Sequence, residues 1–363
     1  MPKTVERIPL PASSPGTART LVAHRFGRPG ARPKAYLQAA LHADEPPGML
    51  ILHHLARLLA GADAHGEVLG EVILVPSANP IGLDQMVEGV VLGRHDFRSA
   101  INFNRLWPDL ALGLADRVLG KLTGDAAANA ALVRAAIGER LEALRPGNGV
   151  ESLHLALARL AYDADFAVDL HCDDEAEAYL MTPDADRGRV LAADAGVRWL
   201  MPKAELDGTY FDASLMLPWV KLQAAAGPDR PVPQGCYAVT FEMRGIAAID
   251  DISAAADAAG LYRHLQRLGA VAGDPGDPDL AAVAVVPASE ELCAPAAGLV
   301  LYPRPLGQQV DPGDLVAEIV DPTADPETPR IALRAGRSGH VISRRLQRIV
   351  GPGDFVAMIV GPE

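Results

Sequence analysis

Cysteine is scarce in this chain. Cys172, Cys236 and Cys293 are the only three in 363 residues, and they lie far apart with no CxxC pair. An odd, scattered set implies neither a disulfide framework nor a thiolate metal site. Lysine is also sparse: Lys3, Lys34, Lys121, Lys203 and Lys221 complete the set, so nothing beyond position 221 can serve as an amine nucleophile or carrier lysine. No stretch reaches the ~18 uninterrupted apolar residues of a membrane span. The opening "MPKTVERIPLPASSPGTART" has no apolar core of signal-peptide length. Clustered basic residues are missing too, and the net charge is −13. That balance argues against nucleic acid or an anionic membrane as partner. A cytoplasmic protein acting on a small molecule is the simplest expectation, with any anionic substrate held by a few placed arginines.

What is present is an apolar fraction of 49 %, the mark of a globular chain, with length enough for two domains. "KAYLQAALH" reads as a buried strand, "PGMLILHHLARLLAGA" as a helix opened by Pro and Gly, and "GEVILVPSANP" as a second strand. Strand, helix and strand make a βαβ unit and hence a parallel or mixed sheet. Residues 111–160 read as mostly helical with a break near "RPGNG". "FAVDLH" and "GCYAVTFEM" read as strands, and "ADAAGLYRHLQRLGAV" as a closing helix. The expected fold class is α/β, a mixed, mostly parallel sheet flanked by helices over 1–278, followed by a small all-β barrel or sandwich over 279–363.

The last segment repeats itself. "VDPGDLVAEIV" at 310–320 returns as "VGPGDFVAMIV" at 350–360. Two copies of one β unit are expected to pair into a closed sandwich or barrel. The repeat resembles a biotinyl- or lipoyl-carrier domain, but without a lysine the carrier function falls away. A structural role, or a surface for a homo-oligomer, is what remains.

The chemistry concentrates at strand ends. "LHADEPPGML" places His42, Asp44 and Glu45 where a buried strand has just finished. A His-x-x-Glu turn can aim both side chains at one point, and a catalytic Zn²⁺ takes three N or O ligands plus water. His171 in "FAVDLHCDDEA" follows another apolar strand, and parallel strands end on the same side of a sheet. His42, Glu45 and His171 are therefore the candidate metal ligands, with Asp169 placed to orient His171. "NFNRLWP" carries Asn104-Arg105, an amide and a guanidinium suited to a carboxylate. Glu242 sits inside the apolar strand of "AVTFEMRG". It is either a functional carboxylate or half of an ion pair with Arg244. Cys172, beside His171, has no activating partner in sequence and reads as a packing residue. The acidic run after His171 reads as a solvated loop, or as a group facing a cationic substrate amine. In 201–235, Tyr210, Asp212 and Trp219 are candidates for a substrate wall.

In order, "HADE", "NPIG", "NFNRLWP", "DLHCD" and "TFEMRG" resemble the succinylglutamate desuccinylase/aspartoacylase family, whose catalytic fold is that of the zinc carboxypeptidases. Within it the chain is similar to N-acetyl-diaminobutyrate deacetylase-type members. The resemblance implies one Zn²⁺ per chain on His42, Glu45 and His171, with Glu242 as general base and acid. It implies Asn104 and Arg105 on the substrate carboxylate, and Arg98, or Arg94 in its place, polarising the scissile carbonyl. Asn102 stands where the family often has Asp, and Ala43-Asp44 replaces the commoner Gly-Asn or Gly-Asp. The implied activity is hydrolysis of the amide bond of an N-acyl amino acid. A metallocarboxypeptidase would use the same centre on short peptides, and a non-enzymatic binding module would hold no zinc.

Overall fold

The computed structural model describes residues 3–203, 206 and 208–361. Nine strands form the main sheet: β1 (Thr4–Leu10), β2 (Arg19–Gly27), β3 (Lys34–Ala39), β4 (Glu71–Val75), β5 (Phe166–Cys172), β6 (Tyr179–Thr182), β7 (Trp199–Pro202), β8 (Tyr237–Met243) and β9 (Ala284–Val285). Their spatial order is β1-β2-β4-β3-β5-β8-β6-β7-β9. The central run β4, β3, β5 and β8 is parallel, while β1, β2 and the β8–β6 pair are antiparallel. The fold class is the mixed α/β sheet expected. The sequence reading passed over β1 and β2, and β9 carries the sheet past the "GDPGDPDL" linker.

Every residue of β3, β4 and β5 is buried, as befits strands covered on both faces. The covering helices are α1 (Pro47–Ala64), α2 (Ala126–Ala143), α3 (Gly149–Ala161), α4 (Ala185–Ala195), α5 (Phe211–Ala226) and α6 (Asp251–Arg267). Pro47 opens α1, where a missing N–H costs nothing. Gly48 follows because a Cβ there would stand 2.9 Å from both Ala39 Cβ and Leu170 Cβ. The Pro-Pro-Gly break thus lets the helix start close against the strands that carry the candidate ligands. Helix α5 was not foreseen: Pro218 lies in its interior and reads as a breaker in sequence. Among the described residues, no helix is long and apolar enough to cross a membrane.

The C-terminal part is a two-sheet sandwich built from β10 (Ala288–Cys293), β11 (Gly298–Leu301), β12 (Gln309–Val310), β13 (Leu315–Val320), β14 (Ile331–Arg334), β15 (Gly339–Arg344), β16 (Ile349–Val350) and β17 (Phe355–Gly361). One sheet runs β10-β17-β15-β12 and the other β14-β13-β11-β16. The two sequence copies cross between these sheets in opposite senses: β12 to β13 in the first, β16 to β17 in the second. Gly313 and Gly353 take φ of +92° and +85° at the matching turns, a region glycine occupies without strain.

The sandwich grips the loop that follows β5. Glu175–Ala176 adds a short strand to β15, in register Ala176↔Ser343 and Glu175↔Arg344. The Glu175 carboxylate accepts from Arg344 at 2.7 Å and from Arg348 at 2.9 Å. Asp174 accepts from Leu346 N at 3.2 Å, and Glu177 from Trp199 Nε1 at 2.7 Å. Tyr179, Trp199, Val286, Ile342, Met358 and Val360 form one buried cluster beneath this contact. The acidic run is thus a docking strand rather than a solvated loop. We expect Glu175→Ala to speed amide exchange at residues 173–177 by hydrogen-exchange mass spectrometry. Global stability should fall by only about 1 kcal/mol, since partly exposed ion pairs are worth little. Unchanged exchange in that loop would contradict the gripping role.

Candidate metal centre and substrate cavity

Chain reversal after β3 is sharp: Ala40 takes φ +56°, uncommon outside glycine. The turn closes with Glu45 N donating to His42 O at 3.1 Å. His42 and Glu45 are thereby carried beside His171, near the end of the adjacent strand β5. His42, Glu45 and His171 each offer a ligand atom within 4.8 Å of the others, and all three are buried.

Both imidazoles are oriented from behind. His171 Nε2 donates to Asp169 Oδ2 at 2.8 Å. His42 Nε2 donates to Asn102 Oδ1 at 2.8 Å, an atom identified as oxygen because Asn104 N–H also donates to it. Asn102 therefore fills the orienting role for which the family often uses Asp. With both Nε2 atoms committed, both Nδ1 atoms point at Glu45, at 2.9 Å from Oε1 for His42 and 2.8 Å from Oε2 for His171. A lone pair and a carboxylate oxygen cannot share such a distance without a proton or a cation to join them. Burial lowers the His171 pKa, but the Asp169 and Glu45 carboxylates outweigh it and hold the imidazole well above its ordinary value. Burial raises Glu45, yet His171 and His42 hold it well below the usual carboxylate range. The cluster thus demands positive charge at its centre. Two nitrogens and a carboxylate converging there fit a divalent zinc-type ion.

The centre opens on a cavity of about 470 Å³ lined by these ligands with Arg94, Asn104, Arg105, Asp173, Lys203, Tyr210 and Glu242 among others. Glu242 is paired in register with His171 and lies on the same face of the sheet. Its expected alternative partner is engaged elsewhere: Arg244 donates to Asp257 at 2.6 and 3.1 Å. Burial, then the nearby Asp173 carboxylate, pushes the Glu242 pKa up to about 8. Cys172 also lines the cavity, but burial pushes its thiol far up, so it is no nucleophile. Its backbone N–H donates to Glu45 Oε2 at 3.1 Å.

The arginines divide. Arg98 donates to the Ser13 carbonyl at 2.8 Å and is not among the cavity-lining residues. Arg94 does line the cavity, and its guanidinium lies 2.6 Å from Glu45 Oε1. Asn104 and Arg105 also line the cavity, with Asn104 Nδ2 3.3 Å from His171 Nε2. The Asn104 oxygen accepts from Trp107 Nε1 at 3.1 Å and Phe211 N at 3.0 Å, so its NH₂ is turned inward. Arg105 stacks on the Tyr210 ring at 4.1 Å. Asp212 is buried and binds Lys203, which also donates to Thr240 at 3.2 Å. Trp219 is wholly buried and lines nothing here. Lys203 escaped the sequence reading because a lone lysine on a loop carries no pattern.

Residues 31–201 match the sequence model of the succinylglutamate desuccinylase/aspartoacylase catalytic domain. That segment is a catalytic domain of the succinylglutamate desuccinylase/aspartoacylase family. Solved structures extend the likeness to the whole chain. A member of the family from Shewanella amazonensis is 22% identical over 98% of each chain, with a TM-score of 0.84. One from Shewanella frigidimarina is 22% identical over 99% of this chain and 97% of its own, at 0.86. The product-bound ectoine utilization protein EutE (DoeB) of Ruegeria pomeroyi is 21% identical over 99% and 94%, at 0.70. At such identities the likeness is one of fold, and it includes the C-terminal sandwich. No curated protein sequence matched.

The protein also buries a histidine that carries no signal in the sequence. His154 on α3 donates from Nε2 to Phe103 O at 2.6 Å and stacks on Trp107 at 4.3 Å, bracing the Asn104-Arg105 segment from below. Burial pushes its pKa down to about 4 from an ordinary 6.5. The unfolded chain therefore binds a proton that the folded chain refuses. The stability His154 contributes is full above pH 6.5 and is lost as pH falls towards about 4. We expect the thermal midpoint of His154→Gln to decline less than that of the parent across this window. Parallel profiles would refute the assignment.

Proposed function

We propose that the protein is a zinc-dependent hydrolase of the amide bond in N-acyl amino acids, with one Zn²⁺ held by His42, Glu45 and His171. The observation that carries this reading is the convergence of two imidazole Nδ1 atoms and a carboxylate on a cavity that Glu242, a half-buried carboxylate, also lines. Zinc bound there supplies Lewis acidity towards water and the scissile carbonyl. Glu242 takes the proton from the attacking water and delivers it to the leaving amine. Burial and the Asp173 carboxylate hold its pKa above the ordinary carboxylate range, which suits it to return the proton to the amine, and a cation held beside it would favour the ionised form that takes the first one. Arg94 faces the developing oxyanion and takes the role that sequence alone left between Arg98 and Arg94. Asn104 and Arg105 hold the amino acid's carboxylate and so fix which amide meets the reacting groups.

The cavity volume suits a single small molecule, which favours this reading over a carboxypeptidase acting on peptides. Of the acidic residues described after His171, Asp173 is the one that lines the cavity, where it also accepts from the Tyr179 hydroxyl at 2.8 Å, and a cationic substrate of the diaminobutyrate type would meet it there. Asp174, Glu175 and Glu177 are engaged with the sandwich and Trp199. Residues 1–278 are on this reading the catalytic domain, and 279–363 a sandwich domain without carrier function, contributing β9 and the grip on the loop after His171.

Chelation should abolish hydrolysis of N-acyl amino acids and added Zn²⁺ should restore it. Glu242→Gln should retain bound zinc yet lose about 10²- to 10⁴-fold in kcat. Normal turnover in that variant would remove Glu242 from its role. Arg94→Ala should lower kcat by about 10²- to 10³-fold, whereas Arg98→Ala should stay within about twofold, as an exposed residue bonded to a distant loop. The reverse ranking, in steady-state kinetics on one substrate, would move the oxyanion role back to Arg98.

A further inference from the structure

Behind the centre, polar side chains run into the core. Tyr36 and Gln38 are two residues apart on β3, and Asp169 and His171 two apart on β5, so each pair shares a face of the sheet. Gln38 and Asp169 are register partners. Tyr36 Oη donates to Gln38 Oε1 at 2.8 Å, and Gln38 Nε2 donates to Asp169 Oδ1 at 2.9 Å. The other Asp169 oxygen accepts from His171 Nε2. Tyr36 and Gln38 are 0% exposed and Asp169 is 1% exposed.

An amide in the middle of a fully buried strand is costly unless both its ends are paired. Here both are, and each pairing has a direction. Asp169 is an acceptor, so it must face the NH₂ of Gln38. The carbonyl end then turns to the Tyr36 hydroxyl, which locks the amide against flipping. The locked amide holds one carboxylate oxygen, and the other is left to hold His171 with its proton on Nε2. An apolar side chain at position 38 would fill the core equally well, but would leave the Asp169 carboxylate free to rotate about its own axis.

We propose that Gln38 is a positioning residue of the metal centre, with Tyr36 as its brace: together they fix the Asp169 carboxylate so that His171 presents Nδ1 to the ion. This rests on the metal reading above and adds to it two residues that touch neither metal nor substrate. The test measures zinc affinity by competition with a chromophoric chelator, and the visible spectrum of the Co²⁺-substituted protein. Loss of a direct orienting partner typically weakens metal binding by about 10- to 100-fold, and Asp169→Asn serves as that reference. Gln38→Met should weaken zinc binding by about tenfold and shift the Co²⁺ bands. Tyr36→Phe, which keeps the packing and removes only the brace, should give a smaller loss in the same direction. KM of the zinc-saturated variants should match the parent, since a distorted cavity would raise it. Zinc affinity within twofold of the parent in Tyr36→Phe and in any folded Gln38→Met would overturn the proposal while Asp169→Asn still showed its loss. Failure of the parent chain itself to bind zinc would instead overturn the metal reading, and this proposal with it.

Discussion

The register of three adjacent strands governs the site. β3, β5 and β8 are parallel neighbours, with Gln38 opposite Asp169 and Glu242 opposite His171. Because side chains alternate, a slip of one residue in β5 would turn Asp169 and His171 to the other face. Glu242 would then look onto an apolar wall. A slipped register would also bury the Asp169 carboxylate away from Gln38, a cost that favours the observed pairing. The hydrophobic core thus does more than stabilise the sheet: it decides which polar groups meet. The result is a continuous polar strip on one face, from Tyr36 through Asp169 and His171 to Thr240 and Glu242, inside an otherwise apolar sheet.

Charge completes what register begins. The centre sets Glu45 and Asp169 against Arg94 and two imidazoles, and Glu242 and Asp173 line the same cavity. The Asp169 and Glu45 carboxylates hold the His171 imidazole well above its ordinary pKa, so the site between them favours positive charge. The C-terminal sandwich, which has no lysine, packs nearby. By adding β15 to the loop that begins two residues after His171, it ties the cavity's acidic wall to a rigid sheet. The sandwich acts here as a clamp on that loop.

Much of this was legible in the chain. Strand ends carrying His, Glu and His stand out because a finished buried strand has no reason to be followed by ionisable groups. "TFEMRG" stands out because it sets a carboxylate inside an apolar strand, and "NFNR" because it sets an amide beside a guanidinium. The helix α1 was readable from its apolar period and its Pro-Gly start. What stayed hidden depends on contacts across the sequence. Arg94 and Arg98 are equivalent as letters, and only the folded loop turns one to Glu45 and the other to Ser13. Gln38 is an ordinary residue of an apolar run until Asp169 lies opposite it. Asn102 reads as a departure from an aspartate, yet the geometry needs only an acceptor for His42. Helix α5 was masked by Pro218, and the strand Glu175–Ala176 by its brevity and its charge.

The central claim is that Nδ1 of His42, Nδ1 of His171 and the Glu45 carboxylate share one divalent ion. X-ray absorption at the zinc edge of the purified, zinc-loaded protein addresses it most directly. The account predicts one zinc per chain with two imidazole nitrogens and oxygen donors at about 2.0 to 2.2 Å, and loss of one imidazole shell contribution in each of His42→Ala and His171→Ala. A zinc shell without imidazole, or one that neither substitution alters, would contradict it.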